Sequence, residues 1–448
     1  MLSAKNPDQQ ALFALGGERA PVQSASRARQ SGPGALAVGE APLGWPEPPA
    51  PEAYSGVLGE IVRCLAPHTE ADPVAILAQA LIAAGAQVGR GAHVAVEATL
   101  HHPNEYVLIV GESAKARKGS SWDHVARLMD MVDPGFSART STGLSSDEGL
   151  VWALRDPVGP DPGAADPRLL VVEPEFASVL KMTARDVNTL SPVLRSAWDG
   201  RPLALLTRTA PARAKAAHLS VIGHITAAEL SHHVVGLEAA NGLLNRFVFI
   251  AARRAQLLPE GGRLDPLAGT GLAGKLALHL EAARGAGRLS FSPAGRKLWW
   301  ETYPSLSAAG AGPTGALIAR SEAHALRLAL IYALSDGARS IGPGHLRAGL
   351  ALWGYGERSA IFAASRATAG PVAGRIADAL VAAGRRGLTR TQIRDVLGRN
   401  HAGVDIDAAL AELAAKGKAH QSDSKPDGTR ATGRLPHTWI AGSLPSSS

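Results

Sequence analysis

The feature that most constrains the fold of this chain is a short apolar run that stops at a glycine and gives way to a basic turn and a helix. The run, Tyr106-Val-Leu-Ile-Val110, is typical of a buried parallel strand. Gly111 follows it, and beyond the basic turn Val125 and Leu128 belong to a helical apolar pattern. A loop that leaves a buried strand and begins a helix presents backbone N–H groups and the positive helix end, which can bind phosphate. The sequence therefore predicts an α/β fold with a phosphate-binding loop.

This loop contains the residue types of a P-loop, although their spacing is not the usual one. The pattern GxxxxGK[ST], counted from Gly111, requires glycine, lysine and a hydroxyl residue at three positions that hold other residues here: Ala116, Arg117 and Lys118. With a wider spacing, Lys118, which is preferred to Lys115, meets the β and γ phosphates. The other predicted roles are Gly111 for the turn, Gly119 for close approach, and Ser120 or Ser121 for Mg²⁺. The alternative is a solvated basic turn before a surface helix.

Two acidic residues follow a second apolar strand, about fifty positions after the loop. The segment is Leu169-Leu-Val-Val-Glu173-Pro-Glu175, which looks like a Walker B strand. A carboxylate at such a strand end can bind Mg²⁺, and a second can polarise the attacking water. We assign Glu173 to Mg²⁺ and Glu175 to the water. The alternative is a strand that becomes polar on reaching solvent.

Two further polar residues are predicted to complete the site. His224 ends a third strand, where it is expected to sense the γ-phosphate, although it can equally be a structural histidine. Arg246 lies immediately before another apolar strand and is predicted to contact the phosphate of a neighbouring subunit. The alternative for Arg246 is a solvated surface arginine.

Taken in order, these segments resemble the RecA-like P-loop ATPase modules found as helicase-like halves of primase-helicase and replication proteins on plasmids, phages and integrated elements. The resemblance rests on the segments GESAKARKGSSW (111–122), SSDEGLVWALRD (145–156), RLLVVEPEFASVLK (168–181), AWDG (197–200), SVIGHIT (220–226), ANGLLNRF (240–247) and ARSEAHALRLALIYAL (319–334). Together they span about 55–365.

The resemblance implies an ATPase more directly than it implies unwinding. It gives Lys118 and Ser120 to the nucleotide, Glu173 to Mg²⁺ and Arg246 to the finger role. It also implies a homo-oligomer, such as a hexamer, that acts on single-stranded or forked DNA. The primase half of these proteins is absent here, so priming would require a separate protein.

The remaining pattern gives the expected organisation of the chain. We predict a disordered tail and proline-rich linker over 1–52, a helical preface over 53–89, a RecA-like core with a mainly parallel sheet over 90–262, and a helical subdomain over 263–366. A single strand is expected over 93–100. A break rich in Gly, Ala and Thr near 367–370 precedes a winged helix over 371–442, with helices over 372–383, 391–397 and 405–416.

Composition limits the class of protein. The 46 Lys+Arg against 39 Asp+Glu give a net charge of +7, a mild bias that permits a polyanionic partner. Cys64 is the single cysteine, which excludes an internal disulfide and a cysteine-based zinc site and agrees with a reducing compartment. The polar start lacks a signal peptide, and no apolar run reaches the ~20 residues of a membrane span, so we expect a cytoplasmic protein.

Two basic regions are candidates for nucleic-acid binding. Arg208, Arg213 and Lys215 lie in a segment that, in ring-forming ATPases of this type, would face a central channel, although it has no aromatic residue for base stacking. The alternative is an ordinary basic loop. In the winged helix the predicted phosphate contacts are Arg390, Arg394, Lys425, Arg430 and Arg434, and protein docking is the alternative.

Two weaker motifs are set aside. Glu148 could be a catalytic carboxylate, but Ser145-Ser-Asp-Glu148 fits a helix capping box better. Ser178 and Lys181 form an S-x-x-K sequence without supporting motifs.

The sequence thus predicts an ATP-hydrolysing DNA-handling protein that uses ATP and Mg²⁺, a helicase-like replication protein of a mobile element. The alternative function is a non-enzymatic DNA-binding adaptor or regulator whose degenerate loop binds nucleotide as a switch.

Overall fold

The fold is described from a computed structural model. It covers residues 45–112, 115–184, 189–206, 211–234, 242–263, 270–308, 310, 312–399, 403–422 and 437–442. The strands are β1 Val94–Val96, β2 Thr99–His101, β3 Tyr106–Val110, β4 Thr140–Ser141, β5 Arg168–Glu173, β6 Leu203–Leu205, β7 Ala212–Ala214, β8 His218–Ile225, β9 Phe247–Ala251, β10 Ser290–Phe291, β11 Ser340–Ile341, β12 Leu388–Thr389, β13 Ala419–Ser422 and β14 Thr438–Ala441.

The helices follow the same chain order. They are α1 Gly56–Leu65, α2 Pro73–Val88, α3 Lys118–Val132, α4 Asp147–Ala153, α5 Phe176–Thr183, α6 Leu190–Trp198, α7 Ala227–Val234, α8 Thr270–Arg284, α9 Pro293–Leu306, α10 Gly312–Ile318, α11 Ser321–Ser335, α12 Pro343–Ala383, α13 Arg390–Val396 and α14 Gly403–Ala415.

Five strands form a parallel sheet in the order β4-β5-β8-β3-β9. β3 pairs with β8 on one side, where Val110 lies opposite Ile225, and with β9 on the other, where Val110 lies opposite Ala251. β5 pairs with the far side of β8, with Glu173 opposite Gly223. Because every strand runs the same way, the carboxyl ends of all five meet at one edge. The predicted α/β class with a parallel sheet is confirmed.

Helices cover both faces of this sheet because side chains of a strand alternate between its faces. On β3, Val107 and Ile109 pack with residues of α1, α2 and α3 in one core. Leu108 and Val110 belong to the opposite core, with residues of α5, α6 and α7. Residues of α8 and α11 complete the core on the α2 face of the sheet. The chain is therefore an α/β protein whose parallel sheet is flanked by helices.

Helix α2 shows how local sequence positions the site. Asp72 caps its start by accepting a hydrogen bond from the Val74 N–H at 3.2 Å, and Pro73 supplies the first helical residue. Gly89 ends it with a φ of 79°. Val74 to Val88 are buried, because α2 lies between the sheet and the outer helices. A helix surrounded by protein can carry apolar residues all round.

Two sequence expectations differ from the structure. The single strand predicted over 93–100 is an antiparallel hairpin of β1 and β2, with the turn residue Glu97 at a φ of 51°. The break predicted near 367–370 is helical, because α12 continues from Pro343 to Ala383. Pro371 lies inside α12, where an interior proline removes one helical hydrogen bond and the helix nevertheless continues.

The described part of the predicted linker is packed against α12. Trp45 meets Phe362 edge to face, with 5.2 Å between ring centroids. Arg358 donates hydrogen bonds to the carbonyl oxygens of Glu47 and Pro48, at 3.3 and 3.4 Å. An aromatic anchor at its start lets a stiff proline-rich run dock against the helix.

The C-terminal unit is built on the last turns of α12. Ile376 and Leu380 from α12 share a small core with Ile393, Leu410 and Leu413 from α13 and α14. An antiparallel sheet in the order β12-β14-β13 completes it. α13 and α14 lie within two residues of the predicted helices, and β12 was not predicted. Among the helices that the structure describes, none has the length and apolar character to cross a membrane.

Candidate functional site

The loop after β3 is tied closely to its neighbours. The Gly111 N–H donates to the Ile225 carbonyl oxygen at the end of β8, at 3.1 Å. A side chain at this position would overlap the Ala252 carbonyl oxygen and the Ala116 side chain, so only glycine fits without a shift. Residues 113–114 lie outside the part of the chain that the structure describes. Gly111 thus makes the tight exit from the sheet that was predicted for it.

Arg117 has a left-handed backbone immediately before α3. Its φ and ψ are 54° and 32°, a conformation that costs a residue with a Cβ roughly 1–2 kcal/mol. The P-loop pattern places a glycine directly before its lysine, and Arg117 occupies that place before Lys118. Its Nε donates to Glu70 Oε2 at 2.6 Å, which helps to hold the strained turn. Strain of this kind is often stored at functional sites.

A substitution pair tests this strain. We expect Arg117→Gly to be more stable than Arg117→Ala by about 1 kcal/mol, because both lose the Glu70 ion pair while only glycine adopts the left-handed turn freely. Urea unfolding measures the difference. The control is Arg320, which precedes α11 with a φ of −121°, where the same pair of variants should differ less. Equal stability of the two Arg117 variants would show that the turn is unstrained.

The Lys118 side chain folds back over the loop. Its Nζ donates to the carbonyl oxygens of Gly111 at 2.9 Å and Glu112 at 3.2 Å. Partial burial lowers the pKa of Lys118, against the opposing effect of Glu229 and Glu112. Lys115, the other predicted lysine, is exposed. Lys118 is therefore tied to the loop carbonyls at the carboxyl end of β3, whereas Lys115 is exposed.

The two predicted serines lie in the first turn of α3 but have different environments. Ser121 is buried, and its hydroxyl donates to the Lys118 carbonyl oxygen at 2.6 Å. Ser120 is half-buried, and Gly119 is exposed, with open space for 4 Å around the position that a Cβ would occupy. The first N–H groups of a helix have no partner within it. Gly119 and Ser120 are therefore the accessible members of this turn, whereas Ser121 is engaged inside the protein.

His224 lies on the same face of the sheet as α2 and α3. Its Nε2 is 2.9 Å from Oε1 of Gln79, a residue of α2. Burial, together with the nearby Lys118 ammonium, lowers the pKa of His224 to about 4. The ring is therefore neutral at pH 7. The Lys118 ammonium is near enough for its charge to act on His224, and the hydrogen bond between His224 and Gln79 was not predicted from the sequence.

The two predicted acids occupy different environments at the carboxyl edge. Glu173 ends β5 and is buried, and its Oε1 accepts a hydrogen bond from the Leu144 N–H at 2.5 Å. Glu175 is exposed at the start of α5. β5 lies two strand spacings from β3, which is about 9.6 Å. Both acids thus belong to the same edge as the loop, with one carboxylate inside the protein and one in solvent.

Glu229, which sequence analysis missed, is an acid whose charge acts on Lys118. It lies in the first turn of α7, where Oε2 accepts hydrogen bonds from the Thr226 N–H at 3.1 Å and the Thr226 hydroxyl at 2.8 Å. Burial raises the pKa of Glu229, but the Thr226 hydrogen bonds and Lys118 outweigh it, so the pKa lies below its usual value. The signal was the capping sequence Thr226-Ala-Ala-Glu229 directly after β8.

Arg246 is not brought to this edge. It precedes β9, whose first residue Phe247 lies opposite Tyr106 at the start of β3, so Arg246 is at the amino edge, roughly 15 Å from the loop. It is buried, and its Nη2 lies 2.9 Å from Asp199 Oδ2. Its Nη1 donates to the Gly242 carbonyl oxygen at 2.6 Å. The finger role stays a prediction that would require this ion pair to open.

Glu148 and Ser178 each lie in the first turn of a helix. The cap of α4 is Ser146, whose hydroxyl accepts from the Gly149 N–H at 3.0 Å, so the capping pair lies one residue after the one predicted at Ser145 and Glu148. The Ser178 hydroxyl donates to the Glu175 carbonyl oxygen at 2.6 Å, within the first turn of α5. Both motifs therefore belong to helix starts.

The predicted nucleic-acid residues divide into two groups. Arg213 and Lys215 are exposed on and just after β7, which forms a hairpin with β6. Arg390 forms an ion pair with Asp407 of α14, with Nε 2.6 Å from Oδ1, and Arg394 is exposed on α13. The other predicted contacts lie outside the described residues: Arg208, Lys425, Arg430 and Arg434.

Solved structures similar to this one include that of an MCM homolog. No protein-family model matches the chain, and no curated protein matches it. The structure is similar to that of a full-length MCM homolog from Methanopyrus kandleri, at a TM-score of 0.40 and 16% sequence identity. The match covers 69% of this chain and 60% of the length of the homolog.

Proposed function

We propose that this chain is a RecA-like P-loop ATPase that couples ATP hydrolysis to the handling of DNA, as a helicase-like replication protein of a mobile element. The observation that carries the proposal is the position of the Lys118 ammonium, 2.9 Å from the Gly111 carbonyl oxygen in the loop between β3 and α3. A strained left-handed residue precedes Lys118, and the first-turn amides of α3 follow it. A lysine, backbone amides and a helix start are what a triphosphate requires.

The residues at the carboxyl edge have separate proposed roles. Lys118 would exchange its loop carbonyl partners for phosphate oxygens and neutralise their charge. The Ser120 hydroxyl and the Glu173 carboxylate offer oxygen ligands, which suit Mg²⁺, and bound Mg²⁺ would stabilise the charge of the phosphates. Glu175, exposed at this edge, would orient the attacking water. Glu229 is a second candidate for that role because its charge acts on Lys118.

For DNA, the observations favour the β6–β7 hairpin over the C-terminal unit. Arg213 and Lys215 are exposed there. The C-terminal unit has the three helices and three-stranded sheet of a winged helix, but α14 contains Asp405, Asp407 and Glu412 and no Lys or Arg. A helix that reads DNA needs cations or hydrogen-bond donors toward phosphates and bases. We therefore propose that single-stranded or forked DNA contacts the hairpin, in a homo-oligomer such as a hexamer, with priming by a separate protein.

Steady-state ATP hydrolysis with and without single-stranded DNA tests the proposal. We expect Mg²⁺-dependent hydrolysis that single-stranded DNA stimulates. A double variant, Arg213→Ala with Lys215→Ala, should keep basal hydrolysis and lose the stimulation, because its phosphate contacts are removed. The matched control is Arg390→Ala, whose guanidinium is already paired with Asp407, and which should be stimulated like the parent. A protein without hydrolysis under any of these conditions contradicts the proposal.

The second candidate function is a DNA-binding adaptor in which nucleotide binding is only a switch. The observation in its favour is that Lys118 is tied to carbonyls of its own loop, which a bound nucleotide would have to displace. ATP binding measured by calorimetry, without turnover in the same buffer, would support this function. Turnover would exclude it.

A further inference from the structure

Gln79 is a polar side chain at the centre of an apolar helix. It lies in α2, and its side chain is fully buried. A buried amide without partners costs roughly 1–3 kcal/mol, whereas leucine would fill a similar space without that cost. Packing alone therefore does not account for a glutamine here. The hydrogen bonds of its side chain therefore explain why glutamine occupies this position.

Those hydrogen bonds determine which way the amide points. The Gln79 Nε2 donates to the Ala75 carbonyl oxygen at 3.0 Å and to the Ser121 hydroxyl at 2.7 Å. The carbonyl can only accept, and the Ser121 hydrogen is already donated to the Lys118 carbonyl oxygen. The NH₂ group must therefore face these two acceptors. Oε1 is left for His224, 2.9 Å away, so the His224 Nε2 must carry the hydrogen.

We propose that Gln79 is a positioning residue of the candidate nucleotide site, which fixes His224 in its Nε2–H tautomer and couples that ring to the first turn of α3 through Ser121. This inference rests on the proposed ATPase function. It has a chemical consequence, because the neutral ring then offers Nδ1 as an acceptor rather than a donor. His224 in this state accepts a hydrogen bond from water or an ammonium group, and it donates to a phosphate only after gaining a proton.

The same contacts connect movement of the loop to His224. The Ser121 hydroxyl joins the Gln79 amide to the carbonyl of Lys118, the residue proposed to meet phosphate. A phosphate that shifts the first turn of α3 therefore shifts the group that orients the ring. Among the charged groups that the structure describes, Lys118 is the one whose charge lowers the pKa of His224.

The test combines variants of Gln79 with a control on the same helix. Gln79→Leu removes the bonds to Ser121 and His224, and we expect kcat to fall about tenfold with little change in KM for ATP, as for other groups that orient a reacting side chain. Gln79→Glu places a carboxylate beside His224, and we expect the pH profile of kcat to move because the His224 pKa rises. The control is Gln87→Leu, since Gln87 is buried on α2 but its Oε1 pairs with Arg139 at 2.7 Å. Gln87→Leu should leave kcat and its pH profile unchanged.

A second measurement needs no variant. Nitrogen-15 spectra of histidine in the parent protein should show His224 as the Nε2–H tautomer, and an Nδ1–H tautomer would overturn the inference. If the parent hydrolyses ATP while Gln79→Leu keeps its kcat and pH profile, the inference fails and the ATPase function stands. If the parent hydrolyses no ATP, the function fails and the inference fails with it. Should Gln79→Leu not fold, Gln79→Met, which keeps the length of the side chain, replaces it.

Discussion

Lys118→Ala is expected to lower ATP turnover by about a hundredfold or more, because it removes the ammonium that neutralises developing charge on the phosphates. The structure places this ammonium in the loop, 2.9 Å from the Gly111 carbonyl oxygen, between the carboxyl end of β3 and the start of α3. Steady-state hydrolysis at saturating ATP measures the effect. Thermal unfolding of the same variant shows whether the fold is kept.

The matched control is Lys115→Ala, since Lys115 lies in the same loop but is exposed. We expect it to hydrolyse ATP close to the parent rate. The opposite result, an inactive Lys115→Ala and an active Lys118→Ala, would mean that the loop presents the other lysine to the phosphates. Normal turnover in both variants would show that hydrolysis, if present, occurs at another site.

The loop, its strand and His224 could be predicted from the sequence because each rests on a local pattern. A buried strand followed by glycine and a helix is readable over about twenty residues, and His224 ends a strand with the same kind of pattern. Gln79 could not be found in this way. It contacts Ser121 and His224, which are 42 and 145 positions away, only because α2 packs over β3 and β8. Local sequence does not encode that packing.

The surroundings of two predicted basic residues could not be read from the local sequence. Arg246 precedes its strand, so it lies at the amino edge of the sheet, where it is paired with Asp199. Arg390 was assigned from local basic charge, whereas Asp407, seventeen residues later, neutralises it. The partners of a basic residue are therefore set by the fold and not by the local sequence.

The amino edge of the sheet gathers several of the segments that carry the family resemblance. Asp199 of AWDG pairs with Arg246, and its Oδ1 lies 3.7 Å from Arg320. Arg327 donates to the Trp198 carbonyl oxygen at 2.9 Å and lies over the Trp198 ring, 3.8 Å from its centroid. These residues of three separate segments meet in a largely buried cluster away from the loop. The motif order thus includes residues that hold α11 against the sheet.

Buried neutral histidines give the largest effect that we expect on stability. His218 begins β8, is almost fully buried, and has its Nε2 3.1 Å from the Gly85 carbonyl oxygen, to which the neutral ring donates. Burial lowers the pKa of His218 to about 3, and burial also lowers the pKa of His224 to about 4. In the unfolded chain a histidine has a pKa near ~6.5. Acid therefore favours the unfolded chain, which takes up protons that the folded protein excludes.

The sign and size of the pH dependence follow from proton linkage. Between about pH 6.5 and pH 4 the unfolded state binds more protons, so the free energy of unfolding should fall as the pH falls, by about 1.4 kcal/mol per pH unit for each such histidine. His218 and His224 together contribute up to about 3 kcal/mol per unit to this slope. Urea unfolding at pH 7, 6 and 5 measures the total slope, to which the other groups with shifted pKa values also contribute. His218→Gln can still donate to Gly85 but cannot titrate, so it should flatten the slope by about 1.4 kcal/mol per unit. Parallel slopes for the parent and His218→Gln would mean that His218 is protonated as readily in the folded protein as in the unfolded chain.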